Sequence, residues 1–190
     1  EKRSMDVKAK KLRREGYVTG NLFGREIEGS IPLKFTKKEI EVLLKNNNKG
    51  SQVMLELDGK TYDALIKEVD YNPLAHTVEE VDFQALVSNE MVHSTAEIIL
   101  ENEEKVMSGV LQDELKEVAY KALPADLVDK IKVDVSHMKV GETLKVKDLD
   151  IAKNPAIDLH TSPEATVATV LEVHNAVADD ADAEDETAEA

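Results

Sequence analysis

The chain has 190 residues, 42% hydrophobic and 33% charged, with a formal net charge of −15. That length accommodates one large or two small domains with a real core. The absence of Cys excludes a disulfide frame, a thiolate nucleophile and Cys-bound zinc, and no apolar stretch approaches the roughly 20 residues that cross a bilayer.

In chain order, "KAKKLRRE" reads as a short helical or irregular segment closed by Gly16. It lies in a basic head. Residues 1–14 carry seven bases against two acids, although the whole chain is acidic. "YVTGNLFG" follows as a strand with two aromatics and two glycines. "FTKKEIEVLLKNNN" is the clearest helix. Thr36 and Glu39 make a capping box, Ile40, Leu43 and Leu44 an apolar stripe, and the Asn run a stop. In "SQVMLELDGKTYDALIKEV", Val53, Leu55 and Leu57 share one face, Asp58-Gly59 signals a tight hairpin, and Tyr62, Ala64 and Ile66 continue the period of two. After "YNPL", "HTVEEVDFQALV" reads as another strand. Its apolar phase slips between Val78 and Val81, which predicts a bulge.

From about residue 90 a second β-rich unit begins. Its strand candidates are "STAEIILENEEKV", "DELKEVAYKAL", "DKIKVDVSHM" and "TVATVLEV". "LPADLVDK" reads as a turn plus one helical turn, and "KVGETLKVKDL" as a Gly-centred reversal. Many short strands at this spacing suggest sandwiches or barrels. The expected fold is therefore mainly β with few short helices, divided into domains at 1–90 and 91–176. An acidic disordered tail is expected over 177–190, because "DDADAEDETAEA" holds seven acids and no base.

Catalytic motifs are missing. The five His show no metal-ligand spacing, and the chain has no G-x-S-x-G elbow, Walker loop or G-x-G-x-x-G. Neither catalysis nor a cofactor is expected. Charge by segment points elsewhere: residues 1–93 are nearly neutral at −1, and residues 94–190 carry −14. At a Debye length of about 8 Å, a distant acidic lobe is largely screened from the basic head. Lys10, Lys11, Arg13 and Arg14 then read as a grip on phosphates, and Tyr17 or Phe23 as a face that stacks on a base or packs in the core.

The order "AKKLRREGYVTGNLFG", "LIKEVDYNPLAHTVEEVDFQAL" and "LPADLVDKIKVDVSHMKVGETLKVKDL" resembles the bacterial large-subunit ribosomal proteins that bind 5S rRNA, in the two-domain general stress protein Ctc form. The resemblance covers nearly the whole chain up to the acidic tail. It implies an N-terminal RNA-binding β-barrel, a C-terminal β-domain and a cytoplasmic, non-catalytic protein. The implied partners are 5S rRNA, the large subunit and neighbouring ribosomal proteins, with no DNA and no membrane. The RNA surface it implies comprises Lys10, Lys11, Arg13, Arg14, Phe23, Gly24, Lys67, Glu68, Glu80 and Asp82. Here Phe23 stands where the family usually has Tyr, and Glu80 where it has His. Glu80 repels phosphate and donates no hydrogen bond. The alternative expectation is a stress-associated interaction module with weakened RNA binding, acting through its acidic second half. Glu1 rather than Met opens the chain, so a trimmed start is also expected.

Overall fold

The structure is a computed structural model describing residues 1–4, 6–106 and 109–172. The expected tail at 177–190 lies outside the described residues. The chain forms two lobes, each with its own apolar core.

The first lobe is a five-stranded sheet flanked by two helices. In chain order it comprises α1 (Ala9–Arg14), β1 (Tyr17–Phe23), β2 (Ser30–Thr36), α2 (Lys37–Asn46), β3 (Gln52–Leu57), β4 (Lys60–Asn72) and β5 (Thr77–Ala85). The sheet order is β2-β1-β5-β4-β3. All neighbours are antiparallel except β1 and β5, which run parallel, and the sheet curls into a half-barrel. Val18 and Leu22 face Val81, Phe83, Ala64 and Ile66 in the core. On the opposite face of β1, Thr19, Asn21 and Phe23 alternate with these residues and pair with Glu80, Asp82 and Gln84 of β5.

The local signals act as the sequence predicts. Thr36 Oγ1 accepts from the Glu39 backbone N–H, and Glu39 reaches back to the Thr36 N–H at 2.7 Å. This holds the Glu39 carboxyl below its ordinary range, chiefly through that backbone donor. Asp58 and Gly59 both take positive φ (52° and 76°), closing a two-residue hairpin. The bulge predicted between Val78 and Val81 falls on Glu79, where pairing jumps from Tyr71↔Val78 to Asp70↔Glu80. A second bulge, at Lys67 on β4, had no sequence signal. Nor had β2, because Pro32 argues against a strand. The structure admits that proline because β2 is a sheet edge, where the lost N–H breaks no inner ladder.

The second lobe stacks two sheets. One contains β6 (Val92–Glu101), β8 (Glu117–Ala122), β9 (Lys130–Asp134) and β11 (Asp158–Leu159), in the order β11-β8-β6-β9. The other contains β7 (Val110–Asp113), β10 (Thr143–Lys145) and β12 (Thr166–Leu171), in the order β10-β12-β7. A one-turn helix, α3 (Asp150–Lys153), connects β10 to β11. Ala96, Val118, Tyr120, Val146 and Val167 fill the core between the sheets. The fully buried Tyr120 hydroxyl is satisfied twice, donating to the Val128 carbonyl and accepting from the Val128 N–H, both at 2.7 Å. The strand expected over "STAEIILENEEKV" ends at Glu101, and Glu103–Lys105 turn into a 3-10 segment after Asn102 adopts positive φ. "LPADLVDK" forms its helical turn as Pro124–Asp126. The short strands β7, β10 and β11 are set by pairing rather than by a local pattern.

The lobes meet at the turn that follows α2. Gly50 has φ +89°, and a Cβ there would lie 1.9 Å from the Thr95 carbonyl oxygen. Only glycine permits this approach. Around it Asn48 donates to Glu97, Ser51 Oγ donates to Asp129 at 3.2 Å, and Lys67 Nζ donates to the His93 carbonyl at 2.7 Å. Leu65, on the outer face of β4, is fully buried beside this seam.

Candidate nucleic-acid interface

α1 lacks a side-chain N-cap, but its last turn carries Lys11, Arg13 and Arg14, the sign that suits a helix C-terminus. Buried Leu12 anchors it, and Gly16 at φ +91° turns the chain into β1. The result is a groove of about 560 Å3 lined by Lys10, Arg13, Arg14, Tyr17 and Lys37, with Glu79 on its far wall. Lys34 does not line the groove; it lies 5.5 Å from the centre of the Tyr17 ring and is paired with Glu1 at 3.0 Å. Three of the four predicted cations thus line one groove. Lys11 does not; it is exposed and lies 3.9 Å from Glu15 on its own helix. Lys37 was missed because it is distant in sequence and reaches the groove only from the start of α2.

Arg13 is already engaged. Its Nη1 donates to Glu79 Oε2 at 2.7 Å, its Nη2 lies 3.9 Å from Glu80, and its Nε is enclosed without a partner among the described residues. The Asn72 amide, and then Arg13, hold the Glu79 carboxyl below its ordinary range. The bulge at Glu79 aims this carboxylate back at the helix.

The outer face of the sheet continues from the groove. Glu68 sits opposite Asp82 and Asp70 opposite Glu80, two like-charge cross-strand pairs. Such pairs repel. The Asn21 side-chain amide lies between them, donating to Glu80 at 3.2 Å and to Asp82 at 3.0 Å, and the Asn21 backbone N–H also donates to Asp82 Oδ1 at 3.0 Å. Asn21 therefore fixes both predicted carboxylates, a role with no short-range signal in the sequence. One Asp82 oxygen makes no protein hydrogen bond among the described residues and is available to accept from a nucleobase amino group.

Phe23 and Gly24 close the far end of β1, about 20 Å from Tyr17 at strand rise. Phe23 is half-buried on the outer face and stays out of the core cluster, so its ring has a free side. At Gly24 a Cβ would lie 2.9 Å from that of Ala85, so the glycine serves close strand approach. Lys67 is not part of the groove; it turns to the interlobe seam. The geometry is a basic rim, a row of carboxylate acceptors and an aromatic at the end. Among the described residues no cluster of His, Asp and Glu is arranged to hold a metal ion.

Comparison with known proteins fits this arrangement. The Ribosomal L25p family matches residues 1–83, and the C-terminal domain of ribosomal protein TL5 matches residues 91–174. The large ribosomal subunit protein bL25 of Moorella thermoacetica is 30% identical over 169 residues, covering 86% of this chain and 80% of the relative. The chain belongs to the bL25 family. The bL25 protein of Carboxydothermus hydrogenoformans is 31% identical over 179 residues, covering 90% of this chain and 88% of its own. Members of this family are structural and non-enzymatic.

Proposed function

We propose that the chain is a structural component of the large ribosomal subunit in the cytoplasm, and that its first lobe binds 5S rRNA. In this reading residues 1–90 form the RNA-binding domain and residues 91–176 a second domain that faces neighbouring ribosomal proteins. The observation that carries it is the groove at α1, where Lys10, Arg14 and Lys37 gather beside Arg13 in a chain of net charge −15. Regular A-form RNA offers proteins its phosphates, its 2′-hydroxyls and a shallow minor groove. The basic rim supplies phosphate contacts. Asp82 and Glu80, held by Asn21, supply acceptors for amino groups on base edges, and Phe23 supplies a stacking face. Held by Asn21 and with its charge offset by Arg13 at 3.9 Å, Glu80 reads bases rather than phosphates, which answers the objection that a carboxylate raises. The remaining predicted residues divide: Lys11 adds general charge, Glu68 extends the acceptor row, and Gly24 brings the strands together.

The test is filter binding of 5S rRNA against a tRNA competitor across a salt series. If about five phosphates are neutralised, affinity falls by orders of magnitude over a fourfold rise in salt, and tRNA competes poorly. A binding curve flat in salt, or equal affinity for tRNA, refutes the assignment.

A further inference from the structure

A second concentration of positive charge lies away from the α1 groove, in the seam between the lobes. There a cleft of about 280 Å3 is lined by Lys49 from the turn after α2, Lys67 from the β4 bulge, His93 from β6 and His160 from just beyond β11. Each side of the cleft comes from a different lobe. The two imidazoles stack with centroids 4.6 Å apart and planes 18° from parallel. Lys121 is the cross-strand partner of His93, and Asp158 follows on the other side of Lys121.

The cleft is under-neutralised. Lys67 is half-buried, and its ammonium donates to a neutral carbonyl, that of His93. Among the described residues no carboxylate forms an ion pair with it. Lys49 has only a 3.7 Å pairing with Glu117. The charged groups facing the histidines are Lys49, Lys67 and Lys121 against Glu68 and Asp158. Burial, then the repulsion of Lys49, holds Lys67 below the ordinary lysine range, and His93 is lowered by burial, His160, Lys121 and Lys67. The cations repel one another, and an anion held among them would attract each of them. The outer sheet face that carries Phe23, Asp82 and Glu68 runs directly into Leu65 and Lys67 at the cleft mouth.

We propose that this cleft is a phosphate site, and that the group it takes, on the RNA-binding reading above on which it rests, is a backbone phosphate of the RNA. Lys49 and Lys67 supply permanent charge. His93 supplies charge that rises as pH falls, so the contact tightens toward acid, and the His160 ring stacks on it. Because its walls come from both lobes, the bound phosphate fastens them together.

The experiment follows the ring-proton resonances of His93 and His160 in the full chain, first with inorganic sulfate and then with 5S rRNA. Sulfate keeps one charge state between about pH 6 and about pH 8, where histidine titrates. Both ligands are expected to raise the pKa of the His93 imidazole and to move the ring resonances of the stacked His160. Lys67→Gln is expected to reduce the slope of log affinity against log salt by about 1. Lys49→Gln, at an exposed position whose ion pair is the 3.7 Å one with Glu117, is expected to do the same. Tightening of RNA binding from about pH 8 to about pH 6 is expected in the native protein and lost in His93→Gln. If RNA binds with unmoved histidine resonances and an unchanged slope in both lysine variants, the cleft assignment is overturned while the RNA reading stands. If sulfate shifts the resonances but the native chain does not bind RNA, the RNA reading fails, and the assignment to an RNA phosphate fails with it.

Discussion

Arg13 and Arg14 are neighbours in sequence with different surroundings. Arg13 bonds Glu79 and ties α1 to β5, whereas Arg14 lines the groove with no ion pair among the described residues. Arg14→Ala is therefore expected to weaken RNA binding and flatten the salt slope by about 1 without changing the thermal midpoint. Arg13→Ala is expected to lower both, because it leaves Glu79 and Glu80 uncompensated. Equal thermal losses in the two variants would contradict this division. Phe23 gives a second residue-scale test. Its ring lies outside the core, so Phe23→Ala should leave urea stability nearly unchanged and reduce RNA affinity by about 1–3 kcal/mol, the usual worth of base–aromatic stacking. A large stability loss with intact binding would make Phe23 a packing residue.

At the scale of elements, α2 and the turn that follows it determine how the lobes meet. Thr36→Ala removes the cap of α2 and is expected to cost about 1 kcal/mol in urea unfolding. Gly50→Ala is harsher. It combines a left-handed backbone with a collision against the Thr95 carbonyl, so the seam must open. The measurement is protease cleavage near residue 90, expected to accelerate well beyond the effect of Thr36→Ala. The elements legible in the sequence were those whose signals are local: the α2 capping box, the Asp58-Gly59 hairpin, the Val78–Val81 bulge and the alternation in β3 and β4. What escaped it was non-local. β2 is a strand because an edge tolerates Pro32, and β7, β10 and β11 exist because partners pair with them. The candidate site divides in the same way. The α1 cations could be read from their density, and Phe23 and Asp82 from family resemblance. Asn21 acts through a pairing between strands far apart in the chain, and Lys37 reaches the groove only from the start of α2.

For the whole molecule, acid is the informative stress. Glu39, Glu79, Asp134 and Glu164 all titrate below their ordinary range in the fold. Glu164 is lowered furthest, to about 2, by hydrogen bonds from Lys145 and then Lys147 at 2.8 and 2.9 Å. A depressed carboxyl contributes stability that is complete above its ordinary pKa and disappears as pH falls through the depressed one. Stability should therefore decline from about pH 4.5 toward pH 2, and added salt should shrink the effect by screening exposed pairs. His93 acts in the same direction at milder pH. Its lowered pKa means the unfolded chain binds the proton more readily, so stability begins to fall as pH drops below the ordinary 6.5. Sulfate should suppress that milder loss, because an anion in the cleft favours the charged imidazole. Thermal midpoints measured from neutral to acid pH, with and without sulfate, check both parts. A flat profile would refute them.

The parallel contact between β1 and β5 has a further consequence, for timing. Asn21 reaches Asp82 across 61 positions of chain, and Arg13 reaches Glu79 across 66. During synthesis the basic head emerges first, yet its opposing wall is not made until the ribosome has added β5. Such long-range closure is slow compared with local folding. Until Ala85 has been added, the nascent chain thus carries these cations without a shaped receptor, which forms only when the last strand of the first lobe docks beside the first.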